Sequence, residues 1–455
     1  MDVPGIVAAV CIGHTETTLM PETGGADMPK KARNTRLAAL QQEARWTNGD
    51  LAREVNRLGT LHGLRLAYDR TAVAHWLSGT RPRPPVPELV AEVLSHRLGR
   101  LVTPEWTGLT PRQRTAPVST AHPILALAEL AVSEAGNGQQ NPSGRLFSVQ
   151  EIEAELGAAA KLRPRNSDNA SSSIAQRLEH LSSFFFEHVQ RYGGLTLGSA
   201  LSRYIADETS RLLALSSTET DGPEVLTALA RLSYVQAAVA ADSGRPGLAQ
   251  SYYQHTLRLA RRSGSGPDYA ITLRALASLS DNLGESALSW RLTGHAIDVA
   301  GPNAAPALQS FLYSGHALAL ARTGDRPAAL RALATALRIH QENHQASAPF
   351  DTYTQASLQY QRALVLKALG AGHDYLQALM ESLRTRPADH HKALAITHSE
   401  IALALLHSGQ WDQALPHAQK AFTSARIASS APARTSVAEL SRSIAAFRRR
   451  IDPTP

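Results

Sequence analysis

Gly244, Gly284 and Gly324 stand 40 residues apart, and Gly409 follows 85 residues later. Seven residues before each glycine comes an alanine, at Ala237, Ala277, Ala317 and Ala402. Five residues after each comes a second small residue, at Ala249, Ser289, Ala329 and Ala414. A period of this length marks a repeat architecture, in which one supersecondary unit cannot bury its apolar face alone and must stack on its neighbours. Glycine supplies the turn that ends one helix. Small residues let the two helices of a pair cross closely, where any larger side chain would push them apart. The long gap has room for one more unit at 352–386 with an insertion near 343–351, and there QALMESL echoes QALPHAQ. The turn of that unit falls at Gly370, Gly372 or His373. Five helix-turn-helix pairs are expected over 224–449, with a final helix at 434–449.

This pattern resembles the tetratricopeptide repeat, somewhat lengthened, over residues 224–430. The resemblance implies an α-solenoid with a concave groove lined by the first helix of each pair. Counting back from the turn glycines places Arg231, Tyr234, Arg274, Tyr360 and Lys367 at positions that face inward in such arrays. Three of the five are basic, so a peptide carboxylate or an acidic segment is a natural guest. The competing reading is five ordinary solvated residues.

Charge singles out a different region. The chain carries a net +7, yet between Lys30 and Arg114 there are 15 Lys and Arg against 7 Asp and Glu, which is +8 and leaves the rest near neutral. A concentrated basic segment is the electrostatic footprint of a polyanion-binding module, because each neutralised phosphate releases condensed counterions. Local patterning there predicts short helices. Leu37, Leu40 and Ala44 keep helical spacing; Thr47 and Asp50 form a capping pair ahead of Leu51, Ala52, Val55 and Leu58. Asp69 caps a third helix whose inward face is Ala72, Val73 and Trp76 and whose stop is Gly79. After prolines at 82, 84, 85 and 87, Leu89, Val90, Val93, Leu94 and Leu98 mark a fourth.

LAREV followed by DRTAVAHWLSGTRPRP resembles the Cro/C1-repressor class of helix-turn-helix domains. Leu51 and Ala52 match the pair in its second helix, Val73 and Trp76 the buried pair of its third, and Gly79, Arg81 and Pro82 the residues that follow. The stretch from Leu58 to Tyr68 is longer than the usual tight turn, which leaves the angle between the two helices open. The resemblance implies that the third helix enters the major groove of double-stranded DNA, with Arg70, Thr71, Ala74 and His75 facing base edges. Arg70 would grip guanine and Ala74 would touch a thymine methyl. Thr47, Asn48, Arg81 and Arg83 would meet phosphates and position the unit.

Between these regions, residues 103–122 read as an interdomain linker and 123–223 as a helical connecting region; 136–144 and 163–173 are polar and loose. Phe184, Phe185 and Phe186 are consecutive, which points to burial from several sides. Residues 1–29 carry little pattern and are expected to be a disordered tail, with Met28 as a candidate physiological start; 30–102 then form the helix-turn-helix domain. One cysteine, Cys11, allows no internal disulfide framework and no cysteine-based zinc cluster, and no apolar run reaches the ~18 residues of a membrane span, so a cytoplasmic protein is expected. No phosphate-loop, zinc-protease, nucleophile-elbow or dinucleotide motif is present, so neither an enzyme nor a cofactor is expected. His390, His391 and His398 lie close in sequence but lack a completing cysteine or carboxylate, so no metal site is assigned.

The combination resembles multidomain regulators of actinomycetes that restrain development and antibiotic production, and more distantly the peptide-pheromone receptors of Gram-positive bacteria. It implies an all-α transcription factor, dimeric on a palindromic site, with a repeat domain that senses a peptide or protein. The alternative is a repeat adaptor for protein partners without specific DNA binding.

Overall fold

The computed structural model describes residues 33–61, 66–83, 85–98, 102, 106–109, 123–136, 147–157, 173–215, 222–342 and 353–451. The expected tail, most of the linker, the looser parts of the connecting region and the insertion near 343–351 lie outside them. Among the described residues every regular element is a helix, and there are nineteen. None is long and apolar enough to cross a membrane.

The first four helices form one unit: α1 (Thr35–Ala44), α2 (Asn48–Leu61), α3 (Arg70–Leu77) and α4 (Val86–Leu98). Its core gathers Leu37, Leu51, Val55, Val73, Trp76 and Leu94, the residues that helical spacing turns to one side. The core does not stop at 102. Leu109 is buried in it, and Asn34 donates its amide to the Thr107 carbonyl at 2.7 Å, so the unit extends into the stretch expected to be linker.

The repeat body begins with α5 (Pro123–Gly136), α6 (Val149–Gly157), α7 (Ser173–Tyr192) and α8 (Gly198–Ala214). Its pairs are α9 (Pro223–Asp242) with α10 (Pro246–Ser263), α11 (Gly266–Asn282) with α12 (Ser286–Ala300), and α13 (Pro306–Arg322) with α14 (Arg326–Glu342). Next come α15 (Gln355–Ala368) with α16 (Gly372–Arg384) and α17 (His391–His407) with α18 (Trp411–Ile427); α19 (Ala431–Ile451) ends the described chain. The five turn glycines Gly244, Gly284, Gly324, Gly370 and Gly409 all have positive φ, which settles the fourth turn at Gly370. The small residues are buried at the crossings: Ala237, Ala277, Ala317 and Ala402 have no exposed surface, and Ala249, Ser289, Ala329 and Ala414 almost none.

The fourth pair departs from the sequence echo. Measured from Gly370, the small-residue position after the turn is Tyr375, not Ala378, so QALMESL is three residues out of register with QALPHAQ. A large side chain is tolerated because the Tyr375 hydroxyl leaves the crossing to donate to Glu400 on α17.

The connecting region is part of the repeat body and shares its core: Ile124, Leu127, Ile152, Leu178 and Leu201 belong to the cluster that continues through Tyr252, Leu276 and Leu292. Helix α6 lies on α10 through Gln250, which accepts from the Ser148 amide at 2.7 Å, and through Glu155, paired with Arg258 at 2.7 Å. Phe184 differs from expectation and is 62% exposed, while Phe185 and Phe186 pack partly into the core. A run of three aromatics covers most of a helix circumference, and α7 has neighbours on only part of it.

The two ends of the array meet. On one side stand Arg191, Tyr192, Gly193 and Gly194 after α7 and Asp242 at the end of α9; on the other stand Asp389, Lys392, Ser429 and Ser430. Asp242 is buried and accepts from the Gly194 amide at 2.7 Å, the Ser430 hydroxyl at 2.9 Å and the Lys392 ammonium at 2.8 Å. Backbone bonds join Ser429 to Tyr192 and Leu195 to Ser429. The glycines are what allow this approach: a Cβ on Gly193 would overlap the Ser429 carbonyl, and one on Gly194 would press on the Val239 backbone. The repeat array is thus closed on itself by a clasp between residues 188 apart in sequence.

Candidate functional site

Two surfaces qualify, and each is built by local signals. In the N-terminal unit, Thr47 and Asp50 cap α2 reciprocally: the Thr47 amide donates to the Asp50 carboxylate at 2.9 Å, and the Asp50 amide donates to the Thr47 hydroxyl at 3.2 Å. Those hydrogen bonds hold the Asp50 carboxyl below its ordinary range. Asn56 then fixes the chain between α2 and α3, donating to the Tyr68 carbonyl at 2.8 Å and accepting from the Tyr68 amide at 3.0 Å. That staple, with Tyr68 edge-on to Trp76 at 5.2 Å, sets where α3 sits despite the long connection. Asp69 caps α3 by accepting from the amides of Thr71 and Ala72, which also lowers its own pKa.

With Val73 and Trp76 buried, Arg70, Thr71, Ala74 and His75 all fall on the exposed side of α3. Arg81 and Arg83 are exposed just beyond it. Among the described residues none of these arginines has a carboxylate beside it. Thr47 is exposed but its hydroxyl is committed to the cap, and Asn48 accepts from Gln41 at 2.8 Å. The structure therefore brings Arg70, Thr71, Ala74 and His75 onto one face and leaves Thr47 and Asn48 at the start of α2 in structural bonds. The Asp69 carboxylate already occupies the N-terminus of α3, so that helix end offers no anion site of its own.

The second surface is the first-helix layer of the repeats. Successive first helices α9, α11, α13 and α15 touch one another, and no comparable contact joins the second helices, so the first helices form the shorter, concave side. The five groove candidates meet different fates there. Arg231 pairs with Asp268 at 2.9 Å and reaches Glu179 at 3.4 Å. Lys367 pairs with Glu400 and lies 5.5 Å from the Tyr375 ring. Tyr234 packs against Phe186 and Tyr253, and burial pushes its phenol up to about 12. Tyr360 is held near Glu400, and burial with that charge raises its pKa. Arg274 is 6% exposed and has no acid partner. The set is thus not a row of three free cations, since two are neutralised by carboxylates. A cleft with an empty volume of about 170 Å³ opens between Arg231, Tyr234, Asp268 and Ile271.

Among the described residues no three His, Cys, Asp or Glu are placed to hold a metal. His398 instead meets His417, Nδ1 to Nδ1 at 2.9 Å, and burial presses its pKa down to about 4. Sequence reasoning missed the Gly193-Gly194 pair and Asp242. The only local trace of the clasp is a glycine doublet after α7, which reads equally well as a turn.

The model of the SP15 N-terminal domain family matches residues 37–110. No curated protein matches the chain. Among solved structures, BtubC (BKLC) from P. vanneervenii is 18% identical with a TM-score of 0.35 and covers 56% of this chain and 95% of its own. The APC/C hetero-tetramer Cut9-Hcn1 is 15% identical with a TM-score of 0.37, covering 89% of this chain and 74% of that one.

Proposed function

We propose that this chain is an interaction scaffold whose closed helical-repeat body takes a protein or peptide partner on its first-helix layer. The observation that carries this reading is the concave layer itself, where tyrosines and paired charges replace the uniform apolar packing found at the helix crossings. Repeats of this type offer extended concave surfaces for recognition. A photoreactive amino acid placed at Tyr234 tests it against one at Trp290, which is 46% exposed on a second helix. Crosslinking of a partner in cells from position 234 and not from 290 is expected; crosslinking only from 290 would move the interface to the outer face.

A second reading concerns the N-terminal unit, which we read as a helix-turn-helix that places the scaffold on double-stranded DNA. It is favoured by the exposure of Arg70, Thr71, Ala74 and His75 together on α3. Dimerisation through the repeat body would then match a palindromic site. Arg70→Ala is expected to cost ~1 to 3 kcal/mol and to relax base preference, while Arg83→Ala weakens all sequences alike and lowers the salt slope. Salt titration on genomic fragments reads both, and the absence of steep salt dependence in the unsubstituted protein would leave the scaffold without a DNA role.

A further inference from the structure

Deeply placed charges in the repeat body are matched: Asp242 by Lys392, Glu155 by Arg258, Glu208 by Arg177, Glu134 by Arg245 and Asp268 by Arg231. Arg274 breaks the rule. Its guanidinium is nine-tenths buried, Nε has no partner, and Nη1 donates to the neutral Ser278 hydroxyl. Its centre lies 5.2 Å from the Phe311 ring, a contact that softens but does not cancel a buried charge. The nearest acid in effect, Asp281, faces Arg322 at 3.6 Å.

Space for this side chain is provided by α13. A Cβ at Gly315 would overlap the guanidinium, so that helix carries no side chain where Arg274 lies. The same position of the neighbouring repeats, ten residues before the turn glycine, holds Tyr234, Ser314 and Tyr360. The array therefore needs no cation there. A buried charge without a counter-charge costs several kcal/mol, and residues kept at such expense of stability cluster at binding sites.

We infer that Arg274 anchors a site for one oxyanion, a carboxylate or a phosphate group, carried by a ligand on the first-helix layer between α11 and α13. Tyr234 and Tyr353 lie within electrostatic reach of the guanidinium and flank the position. Phe311, with Tyr353 edge-on at 5.3 Å, supplies an apolar wall beside it. This rests on the reading of the first-helix layer as the capture surface and names the chemistry it selects.

The test uses the full chain and three probes at matched ionic strength: inorganic phosphate, acetate, and chloride as reference. Phosphate or acetate is expected to raise the melting temperature above the chloride value, and the responding anion identifies the group. Arg274→Met is expected to abolish that response while leaving the protein without anion at least as stable as the parent, because an uncompensated charge is gone. Arg274→Lys, which keeps the charge, should retain a weakened response. No anion-specific shift in the parent protein, or a response that survives in Arg274→Met, overturns the site. So does Arg274→Met losing stability with no anion effect in either protein, since the arginine would then be a packing element. Partner crosslinking from Tyr234 is independent of these outcomes, so loss of the anion site would leave the scaffold reading standing.

Discussion

In the N-terminal unit the arginines of α3 and of the segment after it point outward with no acid beside them among the described residues, whereas in the repeat body Arg231, Arg258, Lys367 and Lys392 each lie against a carboxylate. The contrast follows from size and purpose. A small core has room only for apolar side chains, so its charges go to the surface, where an unpaired cation keeps its field for a distant polyanion. The repeat body uses charge to join helices far apart in sequence, and those charges are spent locally. Basic residues therefore report function in the first region and assembly in the second.

That contrast breaks most sharply at the clasp. Asp242→Ala leaves Lys392, the Gly194 amide and the Ser430 hydroxyl without their acceptor, and a loss of about 3–5 kcal/mol is expected from denaturant unfolding. A loss under ~1 kcal/mol would show that the ends of the array merely touch. Next in size is Ala317→Leu, where the crossing of α13 and α14 has no spare volume; ~1–3 kcal/mol should be lost by overpacking. An unchanged melting temperature would mean that layer is slack.

Acidification sharpens the comparison from another side, because the N-terminal unit has no counterpart to the His398–His417 contact. His398 is held at about 4 in the folded chain, first by burial and then by His417 and Lys420, against an ordinary 6.5. Between those values the unfolded chain binds a proton that the folded chain refuses. Stability is therefore full above pH 6.5 and falls as pH drops toward 4, on the order of 1–3 kcal/mol from this group. His398→Leu should flatten the stability profile between pH 7 and pH 5; an identical profile would assign the acid sensitivity elsewhere. The smallest effect belongs to the N-terminal unit: Asp69→Ala removes the cap of α3 and should cost about 1 kcal/mol. Its circular dichroism should change little, and a collapse of the whole chain would show that the two regions unfold as one.

Much of this was legible beforehand because it is written locally. The caps Thr47–Asp50 and Asp69, the buried pair Val73 and Trp76, and the turn glycines each depend on residues within a few positions of one another. Helical spacing alone turned Arg70, Thr71, Ala74 and His75 to the surface. Groove residues were read less well. Position relative to a glycine placed Arg231 and Lys367 on the first helices, but their partners Asp268 and Glu400 sit on the next repeat, at separations that no motif fixes. The register of the fourth pair failed for a related reason: a similar heptapeptide suggested Ala378, while the backbone turn at Gly370 placed Tyr375 there.

The sequence by itself determined that the chain is helical, where the repeats turn, and which side of each helix is apolar, because those choices are settled by φ preferences and by a period of 3.6 residues. Only the tertiary structure decided that the array closes. Each repeat adds a small rotation set by how its side chains pack on the next, and the sum over five pairs determines whether Ser430 arrives at Asp242 or passes it by. It also decided which cations are neutralised and that Arg274 is not, since a counter-charge is a matter of distance in space between helices, and sequence spacing carries no record of it.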